Sequence, residues 1–418
     1  MSTTNGPGSG GAVPRAATGT PVLRRLNTRS VLNAVRRAAP EPQRIADLTG
    51  ATGLTRPTVA QAIEDLVAEG LLSSASSAEG GMVGRPAARY SINGHAAPVL
   101  GIDLGVHTVA VAVGDLAGAT LAVSRRSVEG SEGSDILAAL DAAVDEALAE
   151  ADLRPEDLAA VVAGTSGIVD RSTDQVRLAL GDGAWSSFNL RERLQPRFEC
   201  PVTIENNANL VAISAVVPGL TPTVIGVQWG EALGAGLVVD GRLHRGASAS
   251  AGEIGFISLG GTPVHFGSQR GPLEASIGTG GIVRRATAAA AAAPGSALAR
   301  ALAGDTGPGA AAVVFAQAAD GDAIAQSVVD AVAREFASAL APVVLALNPD
   351  TIVIAGGVAR AGEVLTRAIH RHLRQLTLHC PSVELSAHAQ DAVVVGAMQI
   401  ARDELWAEML AEGGMLSR

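Results

Sequence analysis

Two stretches of this sequence share one pattern, and that pattern limits the fold more than any other feature. Residues 99–122, VLGIDLGVHTVAVAVGDLAGATLA, and residues 222–246, PTVIGVQWGEALGAGLVVDGRLHRG, each read as an apolar strand, a glycine-containing turn and another apolar strand. Amphipathic helical segments follow or separate the strands, as in DILAALDAAVDEALAEA at 135–151. Such alternation is typical of α/β proteins. We therefore predict an α/β fold with two lobes that face a cleft.

Composition supports a globular chain with more than one domain. The 418 residues are 47% hydrophobic and 17% charged, which is ample for buried cores. The net charge is −10, but residues 1–95 carry 10 Arg against 6 Asp plus Glu, so that segment is about +4 and the remainder about −14. All 31 cationic residues are Arg, which excludes a lysine phosphate clamp or a Schiff base.

The sequence gives no signal for export or for a membrane. Residues 1–20 contain no apolar stretch of the kind a signal peptide needs, and we predict a disordered tail there. No apolar run reaches the roughly 18 residues of a spanning helix. Two cysteines, Cys200 and Cys380, are too few for a disulfide framework. These features predict a cytoplasmic protein.

Residues 21–92 are predicted to form a winged helix-turn-helix domain. Helices are expected at 23–37 and at about 43–50. A third follows Thr55 as its N-cap, with Pro57 in the first turn. In that helix Val59, Ile63, Leu66 and Val67 are expected to face inward. Two short strands joined by a glycine-rich loop then form the wing.

This domain is predicted to bind double-stranded operator DNA. The third helix of such a domain enters the major groove, which places Thr55, Arg56, Thr58 and Gln61 toward base edges or phosphates. In the wing, Arg85 of the GRP sequence is expected to reach a narrow minor groove. The alternative is a small helical domain whose arginines only form a solvated face.

Four motifs in series then carry a resemblance to a known family. GIDLG at 101–105 resembles its first phosphate motif, ENNAN at 205–209 its catalytic motif, and residues 226–256 its second phosphate motif. NPDTIVIAGGV at 348–358 is similar to its adenosine motif, although Gly356 and Gly357 also suit close strand-to-helix packing. Over about residues 20–405 the chain resembles the ROK family of sugar kinases and sugar-responsive repressors.

The resemblance implies a two-lobed actin-like (ribonuclease H-like) ATPase fold behind the DNA-binding domain. The first lobe is expected at 98–218 and the second at 219–405, and the last helix is a candidate to pack back on the first lobe. A single winged helix binds DNA weakly, so we expect a homodimer or homotetramer that reads a pseudo-palindromic operator.

The sequence departs from the kinase pattern at three places. The kinases carry an Asp as general base where this chain has Asn207, and an amide cannot accept that proton. Gly-Thr-Gly of the second phosphate loop is replaced by Gly230, Glu231 and Ala232, and Glu231 is expected to repel a triphosphate. In the first motif, Val106 and His107 replace Gly-Thr. We predict no catalysis and no cofactor.

A zinc site is not expected either. Zinc-containing members carry a His where this chain has Phe256 and a Cys-rich loop whose last Cys is replaced by Pro272. His265 is left alone, so we predict no metal.

The sugar-binding residues of the family are better preserved. Asn206, Asn207, Glu253 and Glu274 match positions that meet sugar hydroxyls, and amides and carboxylates suit a polyol. The alternative is that both asparagines only cap the following helix.

The sequence favours a DNA-binding transcriptional regulator that acts as a repressor. A sugar or sugar derivative, bound in a catalytically inactive kinase-like cleft, is expected to control its binding to the operator. Two alternatives stay open. One is a cytoplasmic ATP-dependent, glucokinase-like sugar kinase with a fused DNA-binding domain. The other is a regulator controlled by a protein partner, because Phe256 removes one further sugar contact.

Overall fold

The computed structural model describes residues 20–75, 88–105, 107–128, 133–170, 173, 175–177, 189–217, 220, 222–260, 270–303 and 309–411. The chain divides into two compact units, residues 94–407 and residues 1–93 with 408–418. Of the predicted tail at 1–20, only Thr20 is among the described residues. Arg85 lies outside them. Within the described part, no helix is long and apolar enough to cross a membrane.

The helices are α1 (Thr20–Ala38), α2 (Ile45–Thr52), α3 (Arg56–Ala68), α4 (Gly133–Glu150), α5 (Leu190–Leu194), α6 (Asn207–Ser214), α7 (Pro272–Ile277), α8 (Thr279–Ala292), α9 (Ala297–Leu302), α10 (Ala310–Ala319), α11 (Ala323–Leu347), α12 (Glu363–Leu376) and α13 (Ala392–Leu410).

The strands are β1 (Gln43–Arg44), β2 (Leu72–Ala75), β3 (Arg89–Ile92), β4 (Val99–Leu104), β5 (Thr108–Gly114), β6 (Thr120–Ser127), β7 (Ala160–Thr165), β8 (Ile168–Asp170), β9 (Gln175–Arg177), β10 (Val202–Asn206), β11 (Val224–Trp229), β12 (Leu233–Val239), β13 (Arg242–His244), β14 (Thr351–Ala355) and β15 (Ser382–Leu385).

The first unit packs α1, α2 and α3 beside an antiparallel sheet with the order β1-β3-β2. Its core holds Val31, Leu32, Val35, Leu48, Val59, Ile63 and Leu66. The expectation that Val67 faces inward is wrong, since Val67 is 39% exposed. Val59, Ile63 and Leu66 already form the buried stripe of α3, and the next residue lies about 100° further around the helix.

The second unit contains two five-stranded sheets built on one plan, which confirms the α/β prediction. The first has the order β10-β7-β4-β5-β6 and the second β13-β12-β11-β14-β15. In the first, β4, β5 and β6 pair antiparallel, while β4, β7 and β10 run parallel. In the second, β11, β12 and β13 pair antiparallel, while β11, β14 and β15 run parallel.

Helices α6 and α13 form a layer between the two sheets. Alternate residues of each strand face opposite sides, so Leu100 and Ile102 join a core with α4, whereas Val99 packs with α6 and α13. Gly101 and Gly226 allow these helices to lie close to the sheets. A side chain at Gly101 would meet backbone atoms of α13, and one at Gly226 would meet backbone atoms of α6. The far face of the second sheet is covered by α7, α8, α10, α11 and α12. The carboxyl ends of the parallel strands therefore open onto a cleft between the lobes.

Candidate functional site

The two asparagines of the ENNAN motif have different roles. Asn206 ends β10 and is the N-cap of α6, where its side-chain oxygen accepts from the backbone N–H of Ala208 at 2.8 Å and of Asn209 at 3.3 Å. Its amide Nδ2 also donates to the carbonyl of Gly167 at 2.8 Å. The capping alternative therefore describes Asn206, and it does not describe Asn207.

Asn207 reaches across to the end of β4. Its Nδ2 donates to Oδ1 of Asp103 at 3.1 Å, and the residue is only 5% exposed. Its Oδ1 is buried and has no hydrogen-bond partner among the described residues. Burial raises the pKa of Asp103 to about 7, against the opposing effects of the Asn207 hydrogen bond and the Arg125 charge.

Glu274 projects inward from the first turn of α7, which begins at Pro272. One carboxyl oxygen, Oε2, accepts from the backbone N–H of Leu233 at 2.9 Å, while Oε1 is buried without a partner among the described residues. Burial raises the pKa of Glu274 to about 7; the Leu233 N–H and Arg270 oppose this, and the charges of Glu253 and Glu231 add to it. A neutral carboxyl is thus accessible here near pH 7.

Glu253 precedes the short 3-10 turn Ile254–Phe256 and is half-buried. Burial raises its pKa from the ordinary value. Asn206, Asn207, Glu253 and Glu274 line one cavity of about 50 Å³, together with Phe256 and Gln228. The structure thus brings all four predicted sugar-binding residues together.

A larger cavity of about 460 Å³ adjoins the first one, and Asn207 and Gln228 line both. It also borders Asp103 and the double glycine Gly356–Gly357. Sequence reasoning missed Gln228, whose Oε1 is buried without a partner in the described part of the chain. The available signal was a lone polar residue near the carboxyl end of the otherwise apolar VIGVQW strand.

The His107 imidazole and two charged side chains, Glu231 and Arg270, meet where the phosphate loops were expected. Nε2 of His107 lies 3.2 Å from Oε2 of Glu231, and the guanidinium of Arg270 pairs with the other carboxyl oxygen. Burial raises the pKa of Glu231, but Arg270 and His107 outweigh it and the net pKa is lowered. The expected repulsion of a triphosphate by Glu231 is reduced by this pairing. His107, Glu231 and Arg270 all border the larger cavity.

A buried ion pair joins the lobes beside the asparagines. Arg245, just after β13, donates to Oε2 of Glu205 in β10 through Nε at 2.8 Å and Nη2 at 2.7 Å. The Glu205 side chain is 3% exposed, and its Oε1 accepts from Asn209 Nδ2 at 2.8 Å. Glu205 is therefore a structural link rather than a group free to meet a ligand.

No group of three or more His, Cys, Asp or Glu residues that could hold a metal ion occurs in the described segments. Phe256 and Pro272 stand at two of the positions where zinc ligands would be needed, and neither supplies a donor atom. His265 lies outside the described residues.

The predicted DNA-contacting residues lie at the start of α3. Arg56 and Gln61 are exposed there, and Gln61 Nε2 donates to Oδ1 of Asp65 at 3.1 Å. Thr55 is exposed and Thr58 half-buried, with their hydroxyl oxygens 2.8 Å apart. The threonines order the first turn of α3, and Arg56 projects from it.

Known proteins resemble this chain in both sequence and fold. Residues 99–404 match the ROK family. A glucokinase of Halalkalibacterium halodurans is 31% identical over 67% of this chain and 86% of its own length. Xylose repressors are more distant, with 26% identity for that of Caldicellulosiruptor bescii, over 49% of this chain and 52% of the repressor.

Solved structures give the same fold. A ROK family transcriptional regulator, a homologue of the E. coli MLC protein, matches 93% of this chain and 99% of its own with a TM-score of 0.70 at 22% identity. A ROK family glucokinase from Streptomyces griseus, in complex with glucose and AMPPNP, matches 73% of this chain and 99% of its own, with a TM-score of 0.62 and 26% identity. Family match, sequence similarity and two-lobed fold agree, and the chain belongs to the ROK family.

Proposed function

We propose that this chain is a DNA-binding transcriptional regulator that acts as a repressor and is released by a sugar or sugar derivative. The ligand would bind in the cleft lined by Asn206, Asn207, Glu253 and Glu274, and the cleft would not phosphorylate it. The protein would work in the cytoplasm as a homodimer or homotetramer on a pseudo-palindromic operator.

The observation that carries this proposal is the position of Asn207. It stands where the kinases of the family hold their general base, and its Nδ2 donates to Asp103 at 3.1 Å. An amide in that place can hold a sugar hydroxyl but cannot remove its proton. Loss of a general base typically costs a factor of about 10²–10⁴ in rate. The site is thus suited to binding without turnover.

The first unit supports the DNA-binding half of the proposal. Three helices, two of them joined by a short turn through Gly53, stand beside an antiparallel sheet. Arg56 is exposed at the start of α3, where a recognition helix meets base edges. Ligand binding would shift the molecule between two states that differ in operator affinity.

The proposal is tested by measuring operator release against sugar concentration. Fluorescence anisotropy on DNA from the region upstream of the gene gives the affinity with and without each sugar. We expect specific binding at physiological salt and release by one sugar class. Glu253→Ala should bind the operator normally and fail to release it. Release by that variant at parental sugar concentrations would contradict the assignment of this cleft.

A second candidate function is an ATP-dependent sugar kinase with a fused DNA-binding domain. Two observations favour it. Asp103 of the first phosphate motif is present near the end of β4, and it borders the 460 Å³ cavity together with Gly356 and Gly357. A coupled assay for ADP release with a hexose panel tests it directly. Sugar-dependent turnover above the ATPase background would support the kinase and contradict the inactive cleft.

A further inference from the structure

Helix α12 carries a stripe of basic side chains on its outer face. They recur at helical spacing and are Arg367, His370, Arg371 and Arg374. Together with Val383 of β15 they line an open groove of about 530 Å³, and no Asp or Glu is among the described residues that line it. The stripe is about 10 Å long, since each residue of a helix adds about 1.5 Å. We call this surface the α12 groove.

The arginines of the α12 groove are only partly neutralised by the chain itself. Arg374 is exposed and forms no ion pair with a described residue. Arg367 lies 3.5 Å from Glu363, but the two side chains are 71% and 78% exposed, so water screens the pair. Arg371 pairs with Asp330 of α11 at 2.5 Å. In a chain of net charge −10, the groove is thus a local positive surface that an anionic partner would fit.

The strand beside the groove has a free edge. β15 is the last strand of its sheet, and among the described strands it pairs with β14 alone. The backbone N–H of Ser382 donates to the carbonyl of Asp350 on the β14 side at 3.2 Å. Because successive residues of a strand direct their backbone groups to opposite sides, those of Val383 and Leu385 face away from β14. These groups can hydrogen-bond to one further strand.

The side chains along this edge are arranged to match. Val383 and Leu385 pack against the core that α12 joins, so they point to the same face of the sheet as α12. At the end of α12, Leu376 is 44% exposed, and Leu378 in the connection to β15 is 91% exposed. The surface therefore combines a basic groove, a hydrogen-bonding edge and two exposed leucines.

These three features decide between the possible occupants. A second copy of the chain, paired edge to edge through β15, would bring a second α12 beside the first, because α12 packs against β15. The two basic stripes would then repel each other. A DNA backbone or a free phosphate would use the arginines, but it would leave the strand edge and the leucines without a role. An extended acidic peptide uses all three features.

We propose that the α12 groove and the free edge of β15 bind an extended acidic segment of a partner protein. The segment adds a strand to β15 through the backbone groups of Val383 and Leu385, and its side chains alternate in direction. Every second side chain faces α12, where carboxylates meet the guanidinium groups of Arg367 and Arg374. The surface shares no residue with the cleft around Asn207, so the inference stands whether or not that cleft binds a sugar.

A synthetic peptide tests the inference on the full chain. The probe is a fluorescein-labelled octapeptide of alternating glutamate and valine, and its binding is followed by fluorescence anisotropy. We expect binding that weakens at least about tenfold when NaCl is raised from about 50 mM to about 500 mM. Two control peptides should bind at least about tenfold more weakly: one of the same composition with its glutamates grouped at one end, and one with lysine in place of glutamate.

Hydrogen exchange reports whether a strand is added. Amide exchange in residues 382–385 should slow when the alternating peptide is present, because the outward N–H groups then become hydrogen-bonded. A purely electrostatic contact with the arginines would leave this exchange unchanged.

Variants separate the charge from the edge. Arg367→Gln with Arg374→Gln should weaken binding of the alternating peptide by at least about tenfold. Val383→Pro removes an outward N–H and leaves the bonds to β14 in place, so it should weaken binding by a similar factor. Arg242→Gln on β13, at the opposite edge of the same sheet, is the matched control and should bind as the parent does. Circular dichroism confirms folding, and a peptide N-methylated at alternate residues replaces the proline test if that variant does not fold.

Each other occupant predicts a different result. Equal binding of the alternating and grouped peptides, unchanged hydrogen exchange, or no binding of the alternating peptide would overturn the proposal. Displacement of the peptide by an equal concentration of pyrophosphate would show a simple anion site instead. An equal loss of affinity for duplex DNA in the double arginine variant would assign the groove to the DNA backbone. A smaller oligomer for Val383→Pro in light scattering would assign the edge to a second copy of the chain.

Discussion

The Nδ2 of Asn207 lies 3.1 Å from the Oδ1 of Asp103, and this hydrogen bond joins the start of α6 to the end of β4. An Asp at position 207 would place two carboxyl groups at that distance. Burial has already raised the pKa of Asp103 to about 7, so the pair would have to share a proton. The amide removes this conflict, because it donates a hydrogen bond to Asp103 and carries no charge.

Asn207→Asp is therefore expected to destabilise the protein in a pH-dependent way. The added carboxyl has a raised pKa in the folded pair, so the variant is closest to the parent at about pH 4 and loses stability relative to it as the pH rises from there through about 7. We expect a loss of about 1–3 kcal/mol at pH 8 in urea unfolding. Asn207→Ala adds no charge but removes the hydrogen bond that opposes the raised pKa of Asp103, so its deficit should grow with pH less steeply than that of the aspartate variant. The aspartate variant should also show no sugar phosphorylation; substantial turnover would mean that the loops around Glu231 tolerate a nucleotide.

Glu274→Gln tests the buried carboxyl of α7. Its pKa in the folded protein is about 7 against an ordinary 4.5, so the folded state binds its proton more tightly than the unfolded state. The parent protein therefore loses stability between about pH 4.5 and 7, whereas glutamine does not titrate. Relative to the parent, the variant should gain about 2–3 kcal/mol between pH 5 and pH 8. An identical difference in unfolding free energy at both pH values would contradict the assigned burial; Glu384→Gln serves as the exposed control.

Arg245→Ala should be strongly destabilising. The Glu205 carboxylate is buried, and loss of Arg245 leaves its charge without the paired guanidinium. Breaking a buried ion pair by removing one partner costs about 3–5 kcal/mol. The double variant Arg245→Met with Glu205→Gln removes both charges and should recover much of the loss. A cost below about 1 kcal/mol for the single variant would indicate that water reaches Glu205 in solution.

Arg56→Ala addresses the proposed DNA contact. If Arg56 reads a base edge, the substitution should cost about 1–3 kcal/mol on the specific operator and relax the preference at one base position. Arg25→Ala, an exposed arginine on α1, is the control for loss of charge alone. Equal losses on operator and random duplex for Arg56→Ala would show that the residue meets only phosphate.

Much of the architecture could be predicted from the sequence. The alternation of apolar runs and glycine turns indicated two similar lobes, because strand pairing and helix packing depend on local periodicity. The buried stripe of α3 was predicted except at Val67, where the pattern alone could not show how narrow the contact with α1 is. Matching motifs identified Asn206, Asn207, Glu253 and Glu274, and the structure places all four around one cavity.

The pairings within the cleft were decided only by the tertiary structure. Sequence reasoning treated Asn206 and Asn207 alike, but the turn geometry makes Asn206 the helix cap and aims Asn207 at Asp103, 104 residues earlier. It treated Glu231 as an unbalanced charge, although His107 and Arg270, far away in the chain, lie against it. It did not find Gln228, whose significance depends on which buried atoms lack partners. Local pattern determines the elements and their faces, whereas hydrogen bonds and ion pairs between distant residues exist only once the lobes have packed together.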